Sequence, residues 1–313
     1  MLAPHAECIA ASYGCGPVAQ LLGPVARGEQ GEVWRLETSS GSWAVKLLFE
    51  QPDLPGTRAD AAYQDHVLRA GVPIPRVQRT VDGDVLARAG GSWVRVYEWV
   101  DVMEPDPELD PAAVGVLIAA IHRVRSLSQV RPVDPWYAEP VGADRWDELV
   151  ASLQAHRAPF ADALAELRDE LVALEGLLAP PRDLQVCHRD LWADNVRGTS
   201  TGSLCVIDWE NGGLADPNQE LAIVLFEFGL GDELRARDLY DAYVGADGPG
   251  RIEGAGDFSM LIAQLGHITE HACTRWLQPG ASEAERARAA DRVGEYTSRP
   301  VTKEAIERLL TRR

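Results

Sequence analysis

The run His188-Arg189-Asp190-Leu191-Trp192-Ala193-Asp194-Asn195 sets an aspartate five positions ahead of an asparagine, and Ile207-Asp208-Trp209-Glu210 follows it. That spacing suits phosphoryl transfer. Asp190 can orient a hydroxyl and accept its proton, while Asn195 and Asp208 offer hard oxygen donors to a Mg2+ ion set against nucleotide phosphates. Upstream, Ala44-Val45-Lys46 places a compact positive charge where it can neutralise phosphate oxygens. Each of these residues has an ordinary structural reading when taken alone; their joint occurrence at this spacing is what points to a phosphoryl-transfer site.

The elements that must position these side chains can be read from the pattern around them. Leu21 to Phe49 alternates β-favouring stretches with the turns Gly28-x-x-Gly31 and Thr38-Ser-Ser-Gly41, which predicts an antiparallel meander with Lys46 on its third strand. Gly28 and Gly31 form a reduced glycine turn able to approach a nucleotide. Thr57-x-x-Asp60 predicts a capping box opening a helix that stops before Gly71-Val-Pro73. More strands are expected near Val85–Ala87 and from Ser92 to Val100. The end of the last one, Glu98, Trp99 and Val100, lies where a hinge backbone would read a purine. Residues 1–20 predict only a helix or extension packed on this region.

Past Val100 a Pro/Asp-rich linker, Glu104-Pro-Asp-Pro-Glu108, leads into helices. Asp110 predicts a cap with Pro111 at the first position, and Val114, Leu117, Ile118 and Ile121 repeat at i, i+3, i+4, i+7. Helical patterns recur at 162–178, 220–228, 234–243, 258–277, 283–296 and 303–310, the last being amphipathic with a basic end at residue 313. Two short strands, Leu184–Cys187 and Leu204–Ile207, predict a hairpin whose loops carry Asp190 and Asp208. The expected architecture is α+β: a β-rich nucleotide-binding lobe over residues 1–100, and a helical lobe with the catalytic loop and acceptor site over residues 101–313.

Composition narrows the partners. The 313 residues include 30 Lys+Arg and 48 Asp+Glu, a formal charge of −18, which repels phosphate backbones and makes nucleic acid an unexpected partner. The same field favours a cationic small molecule. Five scattered cysteines with no C-x-x-C pair predict neither a disulfide framework nor a thiolate zinc site. No signal-peptide pattern opens the chain and no apolar run is long enough for a bilayer, so the expectation is a cytoplasmic protein with no membrane partner.

His188-x-Asp190-x-x-x-x-Asn195, the Asp208-Trp209-Glu210 motif and Ala215-Asp216-Pro217-x-x-Glu220-Leu221-Ala222 together resemble the aminoglycoside phosphotransferase and choline kinase-like family, from about Leu21 to Phe228. The resemblance implies a protein-kinase-like two-lobed fold. It also implies Mg2+, ATP or GTP as phosphoryl donor, and a small hydroxylated acceptor, cationic or sugar-containing. The absence of an A-P-E element and the Asp-Trp-Glu motif favour a small-molecule kinase over a protein kinase. Asp60 stands as candidate partner of Lys46, where the family has Glu. Glu220, where the family commonly has Asp, reads as architectural, His188 as loop-stabilising and Trp209 as packing.

Glu227, Asp232, Glu233 and Asp257 are candidate ligands for ammonium groups. His267-x-x-Glu270-His271 matches an inverted zinc-peptidase motif without a third ligand; in a kinase frame Glu270, His267 and His271 are instead candidate acceptor-pocket residues. The expected activity is phosphorylation of an aminoglycoside-like or other antibiotic. The alternatives are a kinase of a primary metabolite such as choline, an amino alcohol or a sugar, and a nucleotide-binding regulatory pseudokinase.

Overall fold

The structure, a computed structural model, describes residues 3–28, 30–125 and 133–310. Three long strands, β1 (Val18–Arg27), β2 (Gly31–Thr38) and β3 (Gly41–Leu48), form the predicted meander. With β4 (Val77–Gln78), β5 (Ala87–Ala89) and β6 (Ser92–Glu98) they make an antiparallel sheet ordered β1-β2-β3-β6-β4, with β5 also on β6. Alternation along β3 and β6 gives the sheet two different faces. Val45, Val94 and Val96 pack beneath α1 (Ala6–Tyr13), which buries Ile9, Ala10 and Tyr13 against them. The Tyr13 hydroxyl donates to Val94 O at 2.7 Å, so its polar tip is satisfied inside the core. The opposite face presents Lys46 and its cross-strand partner Arg95 toward the rest of the molecule.

Helix α2 (Leu54–Arg69) starts earlier than the sequence predicts. Asp53 is its cap, accepting from the Gly56 amide at 3.2 Å, and Pro55 fits the first turn. Thr57 and Asp60 are therefore buried helical residues instead of a capping box. Near the chain start α1 realises the expected N-terminal helix, while residues 1 and 2, like the basic end at 311–313, lie outside the described residues.

The larger lobe contains α3 (Pro111–His122), α4 (Ala143–Ala155), α5 (Ala161–Glu175), α6 (Pro217–Gly229), α7 (Glu233–Gly245), α8 (Ser259–Leu277), α9 (Glu283–Ser298) and α10 (Lys303–Leu310). Asp110 caps α3 as predicted, accepting from Ala113 N at 3.2 Å, and Val114, Leu117, Ile118 and Ile121 are buried. Gly115 lets α3 lie directly on α7: a Cβ there would sit 2.3 Å from Leu239 O. Helix α6 is buried along most of its length and forms the centre of the lobe. Helix α4 has no counterpart in the sequence reading; it begins after Gly142 with no side-chain cap, though Trp146, Leu149 and Leu153 supply a buried stripe.

The predicted hairpin between 184–187 and 204–207 does not form. Strand β7 (Gln185–Cys187) pairs with β10 (Gly213–Ala215), and β8 (Val196–Gly198) pairs with β9 (Leu204–Val206) through the polar turn at 199–202. The tight turn favours pairing of its own flanking segments, because closing a short loop costs less entropy than closing a long one. Both ladders still deliver loops to the junction of the lobes. Among the described residues no helix is long and apolar enough to cross a membrane.

Candidate active site

The loop after β7 is fixed from behind. His188 is buried, donates from Nε2 to Ile207 O at 3.0 Å and meets the Trp209 ring edge-on at 4.6 Å. Trp209 is itself buried and donates to Val206 O at 2.9 Å, so both residues pack as expected. Arg189 adopts a left-handed φ of 65°, a conformation that a non-glycine residue holds only under surrounding constraint. Its amide donates to the Glu220 carboxylate, its Nε donates to Asn211 O at 2.7 Å, and its guanidinium covers the Tyr137 ring. Glu220 is fully buried and also pairs with His122 Nε2 at 2.8 Å. Burial opposes its charge, yet the His122 and Arg189 contacts hold its carboxyl below the usual range.

This backing presents Asp190. Its Oδ2 accepts from Asn195 Nδ2 at 2.9 Å and from Asn211 Nδ2 at 3.0 Å, and its Oδ1 accepts from Gln264 Nε2 of α8 at 3.3 Å. Burial raises the Asp190 carboxyl above the usual carboxylate range; the charge of Asp208 adds to this, against the lowering effects of His188 and the two asparagine amides. Because the Asn195 amide nitrogen is turned toward Asp190, its carbonyl oxygen points elsewhere. That oxygen and the Asp208 carboxylate, whose side chain is 41% exposed, are hard donors of the kind Mg2+ takes, and these two residues could hold it.

Asp208 also has a left-handed φ, 58°. Its Oδ1 lies 2.9 Å from Lys46 Nζ, and Glu210 Oε2 lies 2.6 Å from the same nitrogen. Glu210 Oε1 meets Arg95 Nη1 at 3.2 Å and accepts from the Tyr97 hydroxyl at 2.9 Å. Burial works against both charges, but Lys46 and Arg95 draw Glu210 down to about 2, and the two carboxylates hold Lys46 well above its ordinary value. The carboxylates that grip Lys46 thus come from the Asp-Trp-Glu loop. Asp60, read as its partner, is buried on α2 and lines a neighbouring cavity.

That cavity, of about 480 Å³, is walled by Gln30, Asp60, Arg95, Glu210, His271 and Arg275 among others, and Asn211 connects it to Asp190. Of the acceptor-pocket candidates His271 reaches it. His267 is stacked on Trp136 and donates to Glu139 O at 3.0 Å, and Glu270 is paired with Arg145 at 2.5 Å. The inverted zinc motif therefore does not assemble. Asp257 accepts from Glu253 N and Gly254 N and pairs with Arg182, a turn-closing role away from the cavity. Asp232 caps α7, and Glu227 accepts from Ala193 N at 3.3 Å behind the loop. Glu233, in the first turn of α7, lines a separate small pocket with Ala236 and Arg308.

Two amides of the expected hinge are already engaged: Glu98 N donates to Arg76 O and Trp99 N to Ser42 O. The glycine turn is closed by Gly28 N on Gly31 O at 2.9 Å, and a Cβ on Gly31 would lie 2.3 Å from Leu47 O. The sequence reading missed Asn211, Gln264, Arg95 and Tyr97. Asn211 directly follows Glu210, and Arg95 is a charged residue in an apolar strand, so both carried a weak signal; Gln264 carried none.

Known proteins resemble this chain in sequence and in fold. Homoserine kinase of Pseudomonas aeruginosa PAO1 is 29% identical over 252 residues, covering 76% of this chain and 75% of that protein. Spectinomycin phosphotransferase, solved with ADP and spectinomycin, superposes with a TM-score of 0.70 at 13% identity over 99% of this chain and 97% of that one. A choline/ethanolamine kinase family protein from Mesorhizobium loti superposes with a TM-score of 0.55 at 19% identity over 99% and 100%. The model of the phosphotransferase enzyme family matches residues 22–254, and with the kinase-like two-lobed fold this establishes that the chain belongs to that family of small-molecule phosphotransferases.

Proposed function

We propose that the protein transfers the γ-phosphoryl group of ATP or GTP to a hydroxyl of a small primary metabolite of the amino-alcohol or hydroxy-amino-acid kind, with Asp190 as the base. The observation that carries the reading is the Asp190 carboxylate, pinned by side-chain amides and joined through Asn211 to the cavity. The cavity walls carry both signs of charge, Asp60 and Glu210 opposite in sign to Arg275 and Arg95, which suits a polar acceptor. The antibiotic acceptor expected first draws on likeness of fold alone, whereas the homoserine kinase likeness extends through the sequence and supports the primary-metabolite alternative.

Lys46 would bind donor phosphates, the glycine turn of Gly28 and Gly31 would close over them, and Val100, next to the two engaged hinge amides, is the candidate purine contact. Asn195 and Asp208 would hold Mg2+, which when bound neutralises phosphate charge. Asp190 orients the acceptor hydroxyl for in-line attack and takes its proton, so the protein contributes mainly positioning and fixed charge. Mass spectrometry of a panel of hydroxy amino acids, amino alcohols, sugars and aminoglycosides incubated with Mg-ATP or Mg-GTP tests this. One acceptor of the first two classes should gain a phosphoryl group with wild type and none with Asp190→Asn, which should still bind nucleotide. Phosphorylation of an aminoglycoside alone would restore the antibiotic reading, and turnover by Asp190→Asn would remove Asp190 from its role.

A further inference from the structure

We infer that Glu210 is the standing counter-ion of Lys46, held for that task by Arg95 and Tyr97 as positioning residues, and that Asp208 is the partner Lys46 releases when nucleotide arrives. The inference rests on the kinase reading of the site and assigns roles that the reading leaves open.

The two carboxylates on Lys46 differ in how firmly they are held. Glu210 has an 8% exposed side chain and is gripped by Lys46 at 2.6 Å, Arg95 at 3.2 Å and Tyr97 at 2.9 Å. All three come from one face of the sheet: Lys46 is in register with Arg95, and Ala44 with Tyr97. Asp208 has a 41% exposed side chain and meets Lys46 through one oxygen at 2.9 Å. Removing one member of a buried, multiply bonded ion pair is costly, whereas an exposed pair contributes little. An incoming phosphate therefore displaces Asp208, whose carboxylate is freed for the metal, and leaves Glu210 in place.

Arg95 explains why the arrangement needs a loop carboxylate. A buried guanidinium beside Lys46 on the same face would repel it, and Glu210 bridges the two, one oxygen to each. Glu210 is thus shared between two cations and ties Lys46 to the sheet face that would meet the donor phosphates. Holding Lys46 in place depends in this protein on the Asp208-Trp209-Glu210 loop.

The test is calorimetric titration of ATP into wild type, Glu210→Gln, Arg95→Met, Arg95→Lys and Tyr97→Phe, first in EDTA and then in saturating Mg2+. Loss of one hydrogen bond in Tyr97→Phe should weaken ATP about fivefold, and Arg95→Met and Glu210→Gln should weaken it roughly tenfold or more, by the same factor with and without Mg2+. Arg95→Lys should recover part of the loss. Weakening confined to the Mg2+ titration would make Glu210 a metal ligand and overturn the inference, as would wild-type affinity in all four variants. Tyr97→Phe keeps the ring and its packing, so the inference stays testable if Arg95→Met fails to fold. Wild type that binds no ATP in either condition would instead overturn the kinase reading itself.

Discussion

At the scale of single residues, Asp190 is oriented by amides and, among the described residues, by no full positive charge within bonding distance: Asn195, Asn211 and Gln264 are its side-chain partners. Neutral donors fix the direction of a carboxylate without suppressing its basicity as strongly as a lysine or arginine would. Gln264 arrives from α8, the helix whose His271 lines the cavity, so it couples Asp190, the proposed base, to the cavity wall. Replacing it by leucine frees Asp190 Oδ1 and should lower kcat roughly tenfold, the scale of one lost positioning hydrogen bond, with ATP affinity unchanged. Steady-state kinetics beside nucleotide titration checks this, and an equal loss of ATP affinity would show that Gln264 supports the fold instead.

At the scale of elements, the loop bearing Asp190 is anchored to two helices by one buried carboxylate. Glu220 of α6 receives the Arg189 amide and His122 of α3, whose other ring nitrogen meets Tyr243 of α7 at 2.8 Å. Three helices and the loop meet there with no exposure, so the pair is a structural tie. Because the folded-state pKa of Glu220 is lowered, the stability it contributes is present above the ordinary carboxylate pKa and is lost as pH falls through the folded value. Glu220→Gln should cost about 2 kcal/mol at neutral pH, as expected for hydrogen bonds to a buried charge, and the deficit relative to wild type should shrink as pH falls. Urea denaturation at neutral and acid pH measures both, and a deficit that does not change with pH would assign the loss to packing alone.

At the scale of the whole molecule, the lobes are joined across the site by Lys46, Arg95 and Tyr97 on Glu210, and by the Gln30 amide on Asn211 at 3.5 Å. A nucleotide bound as proposed, between Lys46 and the loop of Asp190, would add to the same junction. At a hundredfold excess over Kd it should stabilise the protein by about 2.7 kcal/mol, and so raise Tm by several degrees. Differential scanning calorimetry should show that shift for wild type with Mg-ATP, its retention in Asp190→Asn and its loss in Lys46→Ala. A shift that survives in Lys46→Ala would place the nucleotide elsewhere.

Much of this was legible along the chain. Lys46 on its strand, Asp190 and Asn195 five apart, Asp208 after a strand, and the Asp110 cap before proline are local patterns, because backbone geometry and short spacing decide them. Tertiary structure decided which carboxylate meets which cation. Asp60 was the nearer candidate in sequence, but Glu210 reaches Lys46 because the Asp-Trp-Glu loop folds back beneath the sheet face shared by Arg95 and Tyr97. It likewise decided that Gln264, 74 residues away, bonds Asp190, and that β7 takes β10 instead of β9 as its partner. Side-chain direction, burial and loop closure set those contacts, and none has a period that a one-dimensional reading can detect.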